Sequence, residues 1–189
     1  ATLARGCYSE MFSVCTSLTK APALIATTLA KTCYYEMFRG CTVLSKAPAL
    51  PATTLADACY SYMFSSCTSL TEAPELPATT LTSSCYDEMF AGCTGLTQAP
   101  ELPATTVIGT CYNGMFKGCT SLMKAPALPA TTLDKGSYLY MFAGCTSLSE
   151  INVSCSSWND GTPDWVKDVA PTGTFICPKT LPLEYGDSR

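Results

Sequence analysis

Residues 85–106 read CYDEMFAGCTGLTQAPELPATT, and near-copies of this segment precede and follow it along the chain. A Met-Phe pair recurs at an equal step with no insertion or deletion, at 11–12, 37–38, 63–64, 89–90, 115–116 and 141–142. The cysteines on either side of each pair keep this step, here called the period, except that Ser137 replaces one of them. A constant period with fixed apolar positions indicates a repeat protein in which each copy forms one coil stacked on the previous one.

Within one copy, the spacing of apolar residues predicts a short helix over residues 30–39. In the second copy these residues fall on one face of a helix with 3.6 residues per turn, namely Leu29, Cys33, Tyr34, Met37, Phe38 and Cys41. Thr27 and Thr28 precede this segment, where their side-chain oxygens can cap free N–H groups. Gly40 follows it, where a left-handed residue can end the helix.

The second half of each copy predicts a short strand, which in the second copy runs over residues 44–50. Pro48 interrupts this strand because proline removes one N–H from a ladder, and Pro51 closes it into a turn. Stacked strands lie ~4.8 Å apart, whereas helices pack ~8–10 Å apart. We therefore expect an α/β solenoid of about six coils that curves into a short horseshoe, with the strands on its inner face.

The composition excludes several classes of function. Charged residues make up 14% of the 189 residues and the net charge is −4, so the chain lacks the basic surface that nucleic acid requires. No apolar run approaches the roughly 18 residues that span a membrane. Histidine is absent, which removes the usual general base and the commonest zinc ligand. The residues therefore predict neither an enzyme nor a cofactor.

The repeated pattern CYxxMFxGCTSLTxAPxLPATTL resembles the BspA-type leucine-rich repeats of surface proteins from gut bacteria of the Bacteroides group and their phages. The tail WNDGTPDWVKDVAPTGTF (158–175) resembles the segment that often closes such arrays. The resemblance covers essentially the whole chain. It implies a leucine-rich-repeat-like fold, an extracellular or bacterial cell-surface location, a role in adhesion or binding, and no enzyme chemistry. It assigns no site residues.

The repeats end near Glu150, which predicts a solenoid over 1–150 and a C-terminal capping segment over 151–189. An open solenoid end exposes apolar core that must be covered. We expect the segment DWVKDV (164–169) to form one or two helical turns, and we expect the end to be covered by Trp158, Trp165, Val166, Val169 and Phe175. Thr2-Leu3 matches Thr28-Leu29, so the chain starts within a copy and is expected to be a mature product or a fragment.

Three interpretations of the 13 cysteines are open. Metal binding is disfavoured because the spacing fits no zinc pattern and no histidine assists. Disulfides within a helical coil are too long, since eight residues of helix span ~12 Å, although bridges between coils and a Cys155–Cys177 pair are conceivable. Buried free thiols that fill a narrow interior are the favoured interpretation, and Ser137 then needs a carbonyl partner for its hydroxyl.

Other polar and aromatic positions have structural explanations that we prefer to functional ones. Asp160, Asp164 and Asp168 suit a turn better than a calcium loop. The paired threonines of each copy suit capping better than ice binding, because adjacent strand residues face opposite ways. The tyrosine that follows the first cysteine of each copy suits core packing better than sugar binding.

The predicted function is a non-enzymatic binding module that recognises a protein or glycan through the strand face. Variable residues occur there between constant ones, in a column of Lys20, Lys46, Glu72, Gln98 and Lys124 and a second column that contains Glu75 and Glu101. These seven residues are the predicted partner-binding set, and no metal or catalytic residue is predicted. The alternative is a structural spacer, such as a stalk or a phage fibre segment, without a specific ligand.

Overall fold

The computed structural model of the protein describes residues 3–158 and 162–182. Within this part of the chain there is no helix, and the two strands are β1 (Glu150–Asn152) and β2 (Thr174–Ile176). They pair in parallel, with Ile151 opposite Phe175. The expected α/β coils, each with a helix and a strand, are therefore wrong, although successive copies do lie against one another in register.

A run of overlapping β-turns occupies the place of the predicted helix at 30–39. The N–H groups of Cys33, Met37 and Cys41 donate to the carbonyl three residues earlier, at 3.1–3.2 Å. An α-helix would instead join each N–H to the carbonyl four residues earlier. The segment is thus a chain of overlapping tight turns, one beginning at every second residue, whose backbone conformation repeats every four residues.

The alternate N–H groups of this turn segment bond to the next coil. Tyr34 donates to the Cys59 carbonyl at 3.0 Å and Phe38 donates to the Met63 carbonyl at 2.9 Å, and both acceptors lie one residue short of a full period further on. Every N–H from residue 32 to residue 41 is bonded in one of these two ways. The two sets of bonds therefore satisfy the buried backbone completely, as a stable interior requires. We call this arrangement the turn ladder.

Positive φ angles explain why the segment does not become a helix. They recur every fourth residue, as at Thr32 (53°), Glu36 (50°) and Gly40 (70°), and each lies third in a turn closed by a three-residue hydrogen bond. A positive φ at this place is the signature of a type II turn and interrupts a right-handed helix. Gly40 was predicted to be left-handed, and it is, but it lies within a turn rather than at a helix end. Val14 and Ser66, which replace this glycine, are left-handed as well, with φ of 58° and 61°.

Columns of identical side chains fill the space inside the stack. The Phe38 and Phe64 rings lie 5.6 Å apart with an interplanar angle of 7°, and the Tyr34 and Tyr60 rings lie 5.8 Å apart at 8°. This offset-parallel geometry is favourable for aromatic pairs. The repeated cysteines of the inner copies are buried in the same core, as is the methionine of each inner Met-Phe pair. Burial of each phenylalanine or methionine stabilises the fold by about 1.5–3 kcal/mol, so the repeated columns supply most of the driving force.

The predicted strand over residues 44–50 is also wrong. It is reduced to isolated parallel bridges between copies, such as Lys46 with Glu72 and Glu72 with Gln98. Pro48 follows two residues after the bridge and has no N–H to continue it. Because the helix is absent, the difference in spacing that predicted a curved stack no longer applies.

The tail lies on the last full coil and continues the turn ladder. Tyr140, Phe142 and Gly144 donate their N–H groups to the carbonyls of Pro163, Trp165 and Lys167. The predicted helical turns over 164–169 are wrong, because residues 163–168 form non-helical turns and Val169 lies after them. Among the residues expected to cover the end, Trp165 is buried, Phe175 is exposed, and the half-buried ones are Trp158, Val166 and Val169. Asp160 lies outside the described residues.

Candidate partner-binding face

The bridged side of the stack carries the seven residues predicted to bind a partner. We define the bridge face as positions 20, 46, 72, 98 and 124 together with positions 23, 49, 75, 101 and 127. Parallel bridges join Lys46 with Glu72, Glu72 with Gln98 and Lys124 with Glu150, and bridged segments lie ~4.8 Å apart. All seven predicted residues are exposed, namely Lys20, Lys46, Glu72, Glu75, Gln98, Glu101 and Lys124. A partner could therefore reach all of them from one side.

Two shallow depressions divide most of these residues into two groups. The first has a volume of about 360 Å³ and is bordered by Lys46, Glu72 and Glu75. The second has a volume of about 510 Å³ and is bordered by Gln98, Glu101 and Lys124. Lys20, on the first coil, borders neither of them. The structure thus groups six of the predicted residues around two depressions.

Prolines give this face a fixed backbone. In the second copy Pro48 is buried and Pro51 is exposed at the edge of the first depression. A proline ring fixes φ at about −65°, so the loops between the bridges have little freedom. The charged side chains are therefore presented from a backbone that needs little ordering when a partner binds, which reduces the entropic penalty of association.

The charges on the bridge face change sign along the stack. Three carboxylates, Glu72, Glu75 and Glu101, lie between Lys46 at one end and Lys124 at the other. Lys124 forms an ion pair with Glu150, with 2.7 Å between Nζ and Oε1, and both side chains are at least 40% exposed. An exposed pair of this kind contributes under about 1 kcal/mol to stability. Its charges are therefore available to a partner at little expense to the fold.

The second depression is also bordered by Glu150, Asn152 and Met123, none of which is in the set predicted from the sequence. Glu150 lies one period after Lys124 and so continues the first charged column. The period could have identified Glu150, because the charged column continues one residue beyond the last complete copy of the repeat. Met123 occupies a position that is serine or threonine in the earlier copies, and it is 60% exposed. An apolar residue at a position that is otherwise polar is a second signal available from the sequence.

The cysteines form the other conspicuous chemical feature, and all 13 are free thiols. The thiol of Cys93 donates to the Phe64 carbonyl of the preceding copy at 3.0 Å, and the same bond recurs at Cys41, Cys67, Cys119 and Cys145. Desolvation raises the pKa of the Cys59 thiol to about 12. Since the thiolate is the reactive form, these buried columns are unreactive packing groups. At Ser137 the hydroxyl donates to the Asp134 carbonyl at 2.6 Å, which provides the expected carbonyl partner.

The threonine pairs do not act as predicted. Thr27 and Thr28 are both exposed, as are the equivalent pairs of the next four copies. The hydroxyls of these described residues form no hydrogen bond within the chain, so they do not cap the turns. Both members of a pair face solvent because a single bridge, rather than a strand with alternating sides, passes through this position.

In one half-buried pair of polar side chains, the pKa of the carboxyl group is perturbed. The Asn113 amide donates to Asp87 Oδ1 at 2.7 Å, and desolvation raises the pKa of Asp87 to about 6. The pair lies in the turn ladder, away from the bridge face.

The tyrosine column lies in the core as predicted, with Tyr60, Tyr86 and Tyr112 almost fully buried. Among residues 3–158 and 162–182, no group of three or more cysteine or carboxylate side chains is arranged to hold a metal ion.

These features define a class of protein built from stacked repeats, with an apolar interior and an exposed, charged face. The profile of the BspA type leucine rich repeat region matches residues 6–123 and 58–160, with six copies. The chain therefore belongs to the BspA-type leucine-rich repeat family. Proteins of this family are often surface- or adhesion-related interaction modules, and they are typically non-enzymatic. No curated protein and no solved structure matches the chain. No helix in the described part of the chain is long and apolar enough to cross a membrane.

Proposed function

We propose that the chain is a non-enzymatic adhesion module of a bacterial cell surface, and that it binds a partner protein through the bridge face. The observation that carries this proposal is the grouping of Lys46, Glu72 and Glu75 around one depression and of Gln98, Glu101 and Lys124 around its neighbour. These side chains vary from copy to copy, while the residues beneath them are constant.

A protein partner suits this face better than a small ligand or a glycan. Sites for small ligands are concave and enclose most of the ligand with aromatic and apolar groups. The two depressions are open, and no aromatic side chain borders either of them. A face on which carboxylates lie between lysines favours a partner whose charges are complementary, here a surface with basic groups opposite Glu72, Glu75 and Glu101.

Reversal of two of these charges tests the proposal. The chain would be screened against surface and matrix proteins and against a glycan array, and each partner would then be measured with Glu75→Lys/Glu101→Lys. We expect the Kd of a true partner to rise at least tenfold, which corresponds to about 1.4 kcal/mol. Added salt should weaken binding to the unaltered chain, since exposed charges are screened.

A matched control changes the net charge equally at a distance from the bridge face. Glu10 and Asp168 are exposed and border neither depression, so Glu10→Lys/Asp168→Lys should leave the Kd unchanged. Equal losses in the two double variants, or no loss in either, would show that the bridge face is not the site. A chain that binds no protein and no glycan in the screen would favour the structural spacer.

A further inference from the structure

A third depression lies between the third and fourth copies, beside Glu75 and Glu101 of the bridge face. It has a volume of about 270 Å³. Most of its border consists of four prolines and two carboxylates, namely Pro74, Pro77, Pro100, Pro103, Glu75 and Glu101. Sites for whole small molecules begin at roughly 300 Å³, so this depression has the size for one side chain of a larger partner. We call it the proline pocket.

The residues of the proline pocket differ in burial and in the groups that they offer to a ligand. Pro100 is buried and Pro74 is half-buried, whereas Pro77 and Pro103 are exposed, as are both carboxylates. A proline has no N–H, so these four positions contribute ring carbons and carbonyl oxygens but no amide donor. A ligand of this pocket therefore needs apolar groups to pack on the rings and hydrogen-bond donors for the carboxylates.

The two carboxylates lie one period apart, so the stacking of the copies brings their backbones close to each other. The Glu72–Gln98 bridge precedes them by three residues in both copies, and bridged segments lie ~4.8 Å apart. Within residues 3–158 and 162–182, no ion pair includes Glu75 or Glu101. Like charges at neighbouring positions are unfavourable, and a cation placed between them would remove this repulsion.

The third and fourth copies are the only neighbours in this column that both carry a carboxylate. The first depression is bordered by the equivalent prolines of the second and third copies, but Ala49 lies one period before Glu75 there. Ala127 lies one period after Glu101. The proline frame thus belongs to the repeat, whereas the paired charge belongs to this position alone. The depression and the carboxylates are therefore independent features, and both favour a cation that has an apolar stem.

An arginine side chain meets these requirements better than a lysine side chain or a metal ion. Its guanidinium has five N–H donors in a planar fork that matches carboxylates, and it is more weakly hydrated than an ammonium group. Its methylene stem can pack on the proline rings while its charge stays at the rim. A cation such as Ca²⁺ takes about six to eight oxygen ligands, whereas the proline pocket supplies only two carboxylates.

We propose that the proline pocket holds one arginine side chain of the partner protein, with the guanidinium between Glu75 and Glu101 and the methylene stem on Pro74 and Pro100. This inference rests on the proposed function, because it names the chemistry by which the bridge face recognises its partner. It narrows the basic surface expected opposite these carboxylates to one residue type at one position.

An NMR titration with the blocked tripeptide N-acetyl-Gly-Arg-Gly-amide tests the pocket without the natural partner. The peptide should shift the amide signals of Glu75, Leu76 and Glu101 with one common Kd. The same peptide with citrulline, a neutral residue of nearly the same shape, should shift none of them at equal concentration. The lysine peptide should bind at least about threefold more weakly, because an ammonium group cannot form the planar fork.

Two double variants with the same change of net charge locate the binding site. Glu75→Gln/Glu101→Gln should raise the Kd of the arginine peptide at least about tenfold, since both charged acceptors are lost. Glu72 and Glu150 lie on the same side of the stack but do not border the proline pocket, so Glu72→Gln/Glu150→Gln should leave the Kd nearly unchanged. None of the four glutamates is buried, so both variants should fold, as a thermal melt would verify.

Four results would overturn the arginine pocket. These are equal binding of the arginine and citrulline peptides, tighter binding of the lysine peptide, equal losses in the two double variants, and unshifted amides at tens of millimolar arginine peptide.

The titration also separates this inference from the proposed function. A chain that binds the tripeptide here but binds no protein in the screen would keep the pocket and refute the adhesion role. A partner protein that depends on Glu75 and Glu101, together with a tripeptide that leaves these amides unshifted, would keep the adhesion role and refute the pocket.

Discussion

Replacement of Ala58 by glycine removes a single methyl group, and its effect on stability distinguishes the turn ladder from a helix. Ala58 has φ of 52°, whereas Ala56, two residues earlier in the same copy, is not among the residues with positive φ. Both are half-buried. A non-glycine residue in the left-handed region is strained by roughly 1–2 kcal/mol. Glycine relieves that strain, although its greater freedom in the unfolded chain costs about 0.5–1 kcal/mol.

The balance predicts that Ala58→Gly stabilises the protein by about 0.5–1 kcal/mol, while Ala56→Gly destabilises it by about the same amount. For a chain of this size, a change of about 1 kcal/mol shifts Tm by roughly 2–4 °C. The two variants should therefore differ by several degrees in a thermal melt, and their urea midpoints should move in opposite directions. If residues 56–65 formed the helix that the apolar spacing predicts, both substitutions would destabilise. Equal losses of stability would refute the turn ladder.

Three further predictions concern thiols, pH and the tail. In the native protein, iodoacetamide should modify the exposed Cys7 and Cys15 within minutes and leave the buried columns intact until the chain unfolds, as peptide mass spectrometry would show. Since the pKa of Asp87 is raised to about 6 in the folded state, its contribution to stability is present at low pH and is lost as pH rises through about 6. Asp87→Asn should therefore gain about 1 kcal/mol over the unaltered chain between about pH 4 and pH 7 in urea titrations, a figure reduced for partial exposure. A Cβ at Gly173 would overlap the Ser149 carbonyl, so Gly173→Ala should lower Tm by several degrees and speed amide exchange in β2, while a variant with unchanged exchange would contradict the pairing of the tail.

The repeat and its interior could be predicted from the sequence because they depend on period and polarity. Cys33, Met37 and Phe38 were expected in the core and are buried there. The error concerned the local backbone. Cys33, Met37 and Cys41 are spaced by four residues, which suits both a helix over a short span and a repeated four-residue turn.

Two features of the sequence favour the repeated turn over the helix. First, three columns that are four residues apart carry glycine in some copies, as at Gly136, Gly114 and Gly118, and all three of these glycines have positive φ. Second, a spacing of four drifts away from a 3.6-residue helix by about 40° per step, whereas it repeats without drift in a ladder of turns. No single copy reveals the bonds between copies, since those bonds form only when the coils are stacked.

The bridge face, which is the candidate for partner binding, could be predicted only in part, for a related reason. Variable charges such as Glu75 and Glu101 are visible in a column of the sequence. Their grouping around depressions depends on the path of the loops between isolated bridges. A continuous strand, as expected from the sequence, would leave no such loops at these positions. Glu150 was missed because it lies just beyond the last complete repeat.

Scalar couplings across hydrogen bonds, measured by NMR on the labelled protein, test the turn ladder most directly. We expect correlations from the amide nitrogens of Tyr34 and Phe38 to the carbonyl carbons of Cys59 and Met63 in the next coil, and from Met37 to Tyr34, three residues back. Correlations that instead connect each of these amides to the carbonyl four residues earlier would establish a helix and contradict the turn ladder.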